Sequence, residues 1–418
     1  MGSGTTSQRA RLLVLGILLI ASAHAVAQAG QLDPDFGQGG IVTTDFGILP
    51  NGTASAAAVT IQPDGKIIVF GGVTSSSGTS VAAVRYNTNG SLDTGFGTAG
   101  VATVAGLTFP SALALQPDGK IVGVAFNIGG YGGAFGINIV RFSSTGVLDP
   151  AFGTGGVVGT GIFSAQVPSG VVIQPNGDIL IAEGELLRLL PDGQFETSFG
   201  TGGQAHVLGG DQANGLALLS NGKILVTSAT SFSAGGLVTR YNSNGNLDSS
   251  FAIGGQLGAT GPSNALLLLS NGEFLVGGDL ASSVNGPVGF AVSRYQAVGA
   301  TDPKFGAHGG VVTPLAGFPT IATSGLGVQA NGDIVALGTA SASKTSQAFA
   351  LARYTPTGQL DTTFGTSGSV TTAFGTTTVA ASGLAIQADS NIVAVGGYST
   401  TKPNGTDVGF KLARYLGQ

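Results

Sequence analysis

The sequence predicts an all-β fold, a seven-bladed β-propeller of four-stranded antiparallel blades closed by pairing of the N-terminal leader with the last blade. Three observations predict it. A unit of 47 to 60 residues recurs seven times, each copy carries a tight-turn signal between two apolar β-rich runs, and an arginine precedes an acid by eight positions in six successive copies. Self-similarity at such a period is the signature of an architecture stacked from supersecondary units.

The unit is defined by three markers in fixed order. The first is an apolar residue, an acid, two variable positions and Phe, with its acid at Asp33, Asp93, Asp149, Glu196, Asp248, Asp302 and Asp361; only the copy at Thr301 lacks the leading apolar residue. The second is a turn: "QPDGK" at 62 and 116, "QPNGD" at 174, "LSNGK" at 219, "LSNGE" at 269, "QANGD" at 329 and a decayed "QADSN" at 387. The third is an apolar run ending in Arg85, Arg141, Arg188, Arg240, Arg294, Arg353 and Arg414, five of them followed by Tyr.

Asn-Gly and Asp-Gly between alternating apolar runs are the strongest short-range hairpin signal, so the turn joins two strands, b and c. A run such as "GIVTT" before it gives strand a, and the alternating run into Arg, such as "FALARY", gives strand d. Four short antiparallel strands per unit make a propeller blade. A β-solenoid is the rival architecture, but its rungs are shorter.

The arginines read as structural. Alternation in strand d sets Phe349, Leu351 and Arg353 on one face, and likewise Phe410, Leu412 and Arg414, so each guanidinium points into an apolar seam. A buried charge needs a partner, and a carboxylate matches the planar fork. The expected pairs are Arg85 with Asp93, Arg141 with Asp149, Arg188 with Glu196, Arg240 with Asp248, Arg294 with Asp302 and Arg353 with Asp361. Arg414 has no acid after it and Asp33 no arginine before it; pairing these two closes a ring, whereas an open solenoid strands both. The recurrent Phe96, Phe152, Phe199, Phe251, Phe305 and Phe364 read as core anchors.

The stretches "GSLDTGFGTAGVATV", "IQPDGKIIVFGG" and "FALARYTPTGQLDTTFGTSG" resemble the delta-60 repeat of exported bacterial proteins, over nearly the whole chain beyond the leader. The resemblance implies a propeller-like β-fold outside the cytoplasm and names no activity. Departures are Leu190-Pro191 with Glu196 in the short third unit, Phe251-Ala252 without the usual Gly, and Ser390 in place of the turn Gly.

The N-terminus reads differently from the repeats. Arg9 and Arg11, an apolar run from Leu12 to Ala21, then Ala23-His24-Ala25 and Ala25-Val26-Ala27 form a secretory signal peptide over 1–27. The run is well short of the roughly 20 residues a spanning helix needs. The expected organisation is this leader and one propeller domain over 28–418, secreted or periplasmic and monomeric, with no membrane span once the leader is cleaved. Cysteine is absent, which excludes disulfides, thiolate metal sites and lipid attachment through Cys. A net charge of −5, with 16 scattered basic residues, gives no basic stripe for nucleic acid.

Chemistry is sparse. No motif implies a cofactor or a metal: Asp33 and Asp35 stand two apart in one unit only, so no calcium loop repeats. His206 and His308 are the histidines beyond the leader. Strand a is innermost in many propellers, which would turn His206 toward the central channel. The b–c and d–a connections share one face and keep their length, while a–b and c–d connections share the other and vary, and variable loops carry specificity. The candidate binding residues there are Tyr131, Glu183, Glu185, Asp279 and Tyr398, with Phe135 and Phe232 beside them. The expected function is a non-enzymatic exported propeller that binds or scaffolds an unidentified protein or glycan. The alternative is a lyase or hydrolase of a polysaccharide or cyclic compound, which requires His206 and a loop carboxylate within hydrogen-bond reach in a pocket.

Overall fold

A computed structural model of the chain describes residues 28–418 except 50–51, 77, 129–134, 165–168, 209–211, 230–235, 260, 262, 282–287, 344 and 376. The expected signal peptide lies outside the described residues. Among the described residues every named element is a β-strand, and no helix is long and apolar enough to cross a membrane.

The strands form seven four-stranded antiparallel sheets. The chain first lays down β1 (Ile41–Leu49). Blade 1 is then β2 (Thr53–Ile61), β3 (Ile67–Ser75), β4 (Gly78–Tyr86) and β5 (Val101–Ala105), and blade 2 is β6 (Phe109–Leu115), β7 (Ile121–Ile128), β8 (Phe135–Phe142) and β9 (Val157–Ser164). Blade 3 is β10 (Gly170–Ile173), β11 (Ile179–Ala182), β12 (Glu185–Leu189) and β13 (Gln204–His206). Blade 4 is β14 (Gln212–Leu218), β15 (Ile224–Ala229), β16 (Gly236–Tyr241) and β17 (Gln256–Gly258). Blade 5 is β18 (Ala265–Leu268), β19 (Phe274–Ala281), β20 (Val288–Tyr295) and β21 (Gly310–Thr313). Blade 6 is β22 (Thr320–Val328), β23 (Ile334–Ser343), β24 (Ser346–Tyr354) and β25 (Ser369–Ala373). Blade 7 is β26 (Thr378–Ile386), β27 (Ile392–Lys402), β28 (Gly405–Tyr415) and, from the other end of the chain, β1.

That last pairing closes the ring. β1 runs antiparallel to β28, with Ile41 opposite Ala413 and Thr44 opposite Phe410. The inner strands β2, β6, β10, β14, β18, β22 and β26 touch one another around the axis, β26 returning to β2. Strand a of each unit is therefore the outermost strand of the preceding blade. This corrects the expectation that strand a is innermost, and it moves His206 from the channel to the rim.

Each blade buries both faces, one against each neighbour, so its middle strands read as continuous apolar runs such as "IIVF" and "ILIA". The core is accordingly seven clusters, one per seam. Between blades 7 and 1, Phe410 and Leu412 pack on Val69, Val84 and Tyr86. Tyrosines after the arginine reach across the seams as well: the Tyr86 hydroxyl lies 2.5 Å from Thr44 Oγ1, and Tyr415 donates to Thr372 at 2.8 Å. Burial pushes both phenols well above their ordinary range.

The arginines make three contacts each. Nε donates to the carboxylate eight residues on at 2.6 to 2.9 Å in Arg85, Arg141, Arg240, Arg294 and Arg353, and Arg414 donates to Asp33 at 2.8 Å. A terminal nitrogen donates to a backbone carbonyl of the following blade, as Arg85 does to Ser144 at 2.6 Å and Arg414 to Thr88 at 2.5 Å. The guanidinium also lies 4.2 to 4.8 Å from the centroid of the repeat Phe, including Phe36 beneath Arg414. Each clasp thus ties a hairpin to its own acid and to the next blade. Gly146 shows why the hairpin needs glycine: φ is +83°, and a Cβ there would stand 2.7 Å from the Gly97 nitrogen of the preceding blade.

Blade 3 is the loose clasp. Arg188 approaches Glu196 only to 3.8 Å, its buried Nε has no partner among the described residues, and Glu196 instead accepts from Ser198 at 2.8 Å. The extra methylene of glutamate carries the carboxylate past the guanidinium.

The clasp acids set an acid limit on stability. The Lys66 hydrogen bond is the main cause holding Asp93 below the usual carboxylate range, with Arg85 adding to it. For Asp248 burial works upward, but hydrogen bonds from Lys223, Ser250 and Arg240 outweigh it and hold the carboxyl well down. Burial is likewise outweighed at Asp149, Asp302 and Asp361. A depressed folded pKa contributes stability above the unfolded value, about 3.9 for Asp, and loses it as pH falls toward the folded value. The melting temperature is expected to hold between about pH 7 and 5 and to drop below about pH 4; calorimetry across that range checks it.

Candidate functional site

The inner strands share one irregularity. Ala57, Ser111, Asn214, Ser324 and Ser382 are each skipped in the pairing of their strand with its neighbour. Ser169 and Asn264 repeat this geometry just before β10 and β18, their amides donating to Ala182 and Gly277 at 2.9 and 2.8 Å, the residues that Gly170 and Ala265 also face. A bulge adds one residue to a strand and re-aims its side chain. Five bulges and the two equivalent positions ahead of β10 and β18 form a ring of residues at one repeat position of the inner strands, polar in six blades.

The residue after each bulge is Gly or Ala because the next blade comes close. A Cβ at Gly170 would stand 2.8 Å from Leu216 Cβ, and one at Gly325 3.2 Å from Leu384 Cβ. Each ring residue lies four positions before the last residue of its inner strand, away from the b–c turn and on the side of the a–b and c–d connections.

There the mouth of the channel opens into a concavity of about 440 Å³, lined by Ser55, Phe109, Pro110, Ser111, Phe126, Ser169, Gln212, Asn214 and Asn264. Five blades contribute to it. Phe109 is 42% exposed and stacks on Phe126 with centroids 4.9 Å apart and planes at 16°. Asp279 stands behind the rim: its Oδ1 accepts from Asn264 Nδ2 at 2.8 Å and from the Thr323 amide at 3.1 Å. This fixes which end of the Asn264 amide donates inward to the protein and leaves its oxygen as an acceptor for a ligand. Among the described residues the lining is hydroxyls, amides, a proline and one supported aromatic face, without a charged side chain.

The sequence candidates are scattered by comparison. Tyr131 and Phe232 lie outside the described residues, and Phe135 opens β8. Glu183 is 1% exposed in the tight turn between β11 and β12. Glu185 opens β12 and meets His206 Nδ1 at 2.9 Å, but on the outer strands of blade 3, with the imidazole 69% exposed. This pair does not line the channel mouth, and among the described residues no cluster of three metal-ligating side chains occurs. Tyr398 is in β27 rather than a loop, facing blade 6 at 5% exposure, with Lys411 Nζ 4.8 Å over its ring and Asp407 3.3 Å from its hydroxyl. Burial, with Asp45 and Asp407, pushes its phenol up, and burial pushes the Lys411 amine down. Among the described candidates Asp279, within β19, is the one that supports the mouth, through Asn264.

The model of a family described as "Domain of unknown function (DUF5122) beta-propeller" matches residues 62–96, 116–152, 219–251, 269–305 and 329–364. The matches recur across the repeats and support a β-propeller repeat family; the third and seventh units, the short one and the one with Ser390, are not matched. No curated protein matches the chain. Among solved structures, a Lactobacillus plantarum protein is similar at 12% identity over 87% of this chain and 99% of its own, with a TM-score of 0.45. A protein of unknown function from Dyadobacter fermentans is similar at 10% identity over 90% and 99%, TM-score 0.44. The PQQ-bound aldose sugar dehydrogenase of Streptomyces coelicolor is similar at 12% over 90% and 98%, TM-score 0.35. Likenesses this distant carry no argument about activity.

Proposed function

We propose that the chain is an exported, monomeric, non-enzymatic propeller of the delta-60 repeat type that binds a neutral glycan at the channel mouth. The observation that carries the reading is the composition of that mouth: an exposed Phe109 backed by Phe126, beside Gln212, Asn214 and Asn264 and the hydroxyls of Ser55 and Ser111. A sugar ring offers hydroxyls that both donate and accept, and a C–H face that lies on an aromatic ring. Amides and hydroxyls answer the first and Phe109 the second, and the described residues of the lining, all uncharged, suit an uncharged ligand. Nucleic acid is disfavoured by the acidic net charge.

The test is a glycan array probed with residues 28–418, followed by calorimetric titration of any hit. Phe109→Ala is expected to weaken a genuine hit about tenfold, equivalent to about 1.4 kcal/mol, with the melting temperature nearly unchanged because the ring is exposed. No neutral glycan bound, or a hit indifferent to Phe109→Ala, removes the reading.

A further inference from the structure

The seven seams are not equally filled. In blades 5, 6 and 7 strand d carries Phe290, Phe349 and Phe410, opposite Thr313, Thr372 and Thr44 of the outer strand. Two residues beyond the threonine, Leu315, Phe374 and Phe46 cover the seam. Phe374 meets Phe349, and Phe46 meets Phe410, each edge to face at 4.9 Å. In blade 4 the corresponding residues are Gly236, Ala259 and Gly261, Ala259 donating its amide to the Gly236 carbonyl. Blade 4 thus brings no aromatic ring where blades 6 and 7 each bring two. Its outer strand β17 is also only three residues long.

A cleft of about 490 Å³ opens at that seam, walled by Val276, Leu280, Ala291, Ser293 and Tyr295 with His308 at its edge. His308 is itself an exception. Its position, before the second glycine of the d–a hairpin, has φ +56° and is held by Gly39, Ala99, Gly155, Gly202, Gly254 and Ser367 in the other six hairpins. A left-handed backbone favours glycine and tolerates histidine, so this hairpin alone among the seven sets a long polar side chain at that position. Imidazole adds a hydrogen-bonding group at the edge of a mainly apolar slot whose other polar side chains are Ser293 and Tyr295.

We propose that the cleft between blades 4 and 5 binds a small aromatic compound, one ring bearing a hydrogen-bonding substituent. The ring takes the place that Phe46 and Phe374 occupy in their own seams, and the substituent meets His308. The volume is that of a small-molecule pocket, with a few polar groups fixing orientation. This site is independent of the channel mouth.

The probe is p-cresol, followed by ligand-observed saturation-transfer NMR against residues 28–418. Saturable binding is expected, with a dissociation constant on the order of millimolar or tighter. Gly261→Phe should abolish it and raise the melting temperature, since Gly261 is outside the positive-φ region and a Cβ there finds only Leu280 Cδ2, at 4.0 Å. His308→Gly, the residue most hairpins use, should leave the melting temperature unchanged or higher and weaken binding several-fold. This second variant keeps the test decisive if the first does not fold. Absence of saturable binding to the unaltered protein, persistence of binding in folded Gly261→Phe, or identical binding in His308→Gly overturns the proposal.

Discussion

Arg353→Leu is expected to lower the unfolding free energy by about 3 to 5 kcal/mol, the cost of breaking a buried ion pair from one side. Arg353 is 5% exposed, donates Nε to Asp361 at 2.7 Å and a terminal nitrogen to the Gly417 carbonyl of blade 7 at 2.5 Å, and lies 4.7 Å over Phe364. Leucine keeps the apolar stem and part of the contact with Phe364. What it loses is the pairing of Asp361, whose carboxylate stays behind at 15% side-chain exposure, and of the Gly417 carbonyl. The matched control is Arg188→Leu, expected to cost distinctly less because the 3.8 Å approach to Glu196 makes no hydrogen bond and Nε is already unsatisfied. Denaturant unfolding of the two variants separates the cases. Equal losses would mean that the seam values the guanidinium for packing over Phe199 and Phe364 and not for its acid. A further variant, Arg353→Leu with Asp361→Leu, should recover part of the loss, since removing both partners leaves no stranded charge.

The same residues show what was legible beforehand. Seven copies of one spacing amount to seven observations of a single structural rule, so the eight-residue interval from arginine to acid, and the complementary orphans at Asp33 and Arg414, revealed both the clasp and the ring. The frame of the blade was not legible. A cyclic order of strands a, b, c and d has no first member, and shifting the frame by one strand leaves every marker in place. Only the contacts of β2, β6 and their equivalents fix strand b at the axis, which sends His206 to the rim. The mouth had a signal that went unread: "SALAL" at 111, "SGVVI" at 169, "NGLAL" at 214, "NALLL" at 264, "SGLGV" at 324 and "SGLAI" at 382 repeat a small polar residue, a Gly or Ala, then an apolar residue. Asn214-Gly215 even imitates a hairpin turn while lying within β14. Charged and aromatic residues mark the loops, whereas the mouth is lined by serines and asparagines at the irregular positions of the inner strands. The seam contacts of Tyr86 and Tyr415 were hidden for another reason: their threonine partners belong to the preceding blade, 42 and 43 residues back, and threonine by itself marks no such contact.

Removal of residues 28–37 is expected to have the largest effect of any change considered, although it deletes no more than a short leader. Three blades meet on that segment. The Ala29 carbonyl accepts from Gly365 of blade 6, Gly30 and Asp33 donate their amides to Leu416 and Arg414 of blade 7, and Gly37 donates to Asn89 of blade 1. Phe36 is fully buried beneath Arg414, and Asp33 is that arginine's carboxylate. Stranding Arg414 costs about 3 to 5 kcal/mol, and losing a buried phenylalanine costs a similar amount, about 3 to 5 kcal/mol. The two overlap and do not add fully, yet either is a large share of the 5 to 15 kcal/mol typical of a whole domain. β1 would remain attached only through its own pairing with β28, and its departure would expose β28 as an unprotected edge, a template for aggregation. The expected result is a fall in melting temperature larger than that of Arg353→Leu. Amide exchange should accelerate first in β26, β27 and β28, while blades 2 to 5 stay protected until global unfolding. A leader that can be removed without moving the melting temperature would mean that β1 alone closes the ring and that the Asp33–Arg414 clasp is dispensable. Acceleration spread evenly over all seven blades would mean instead that the propeller opens as one cooperative unit, with no weakest seam at the join of its ends.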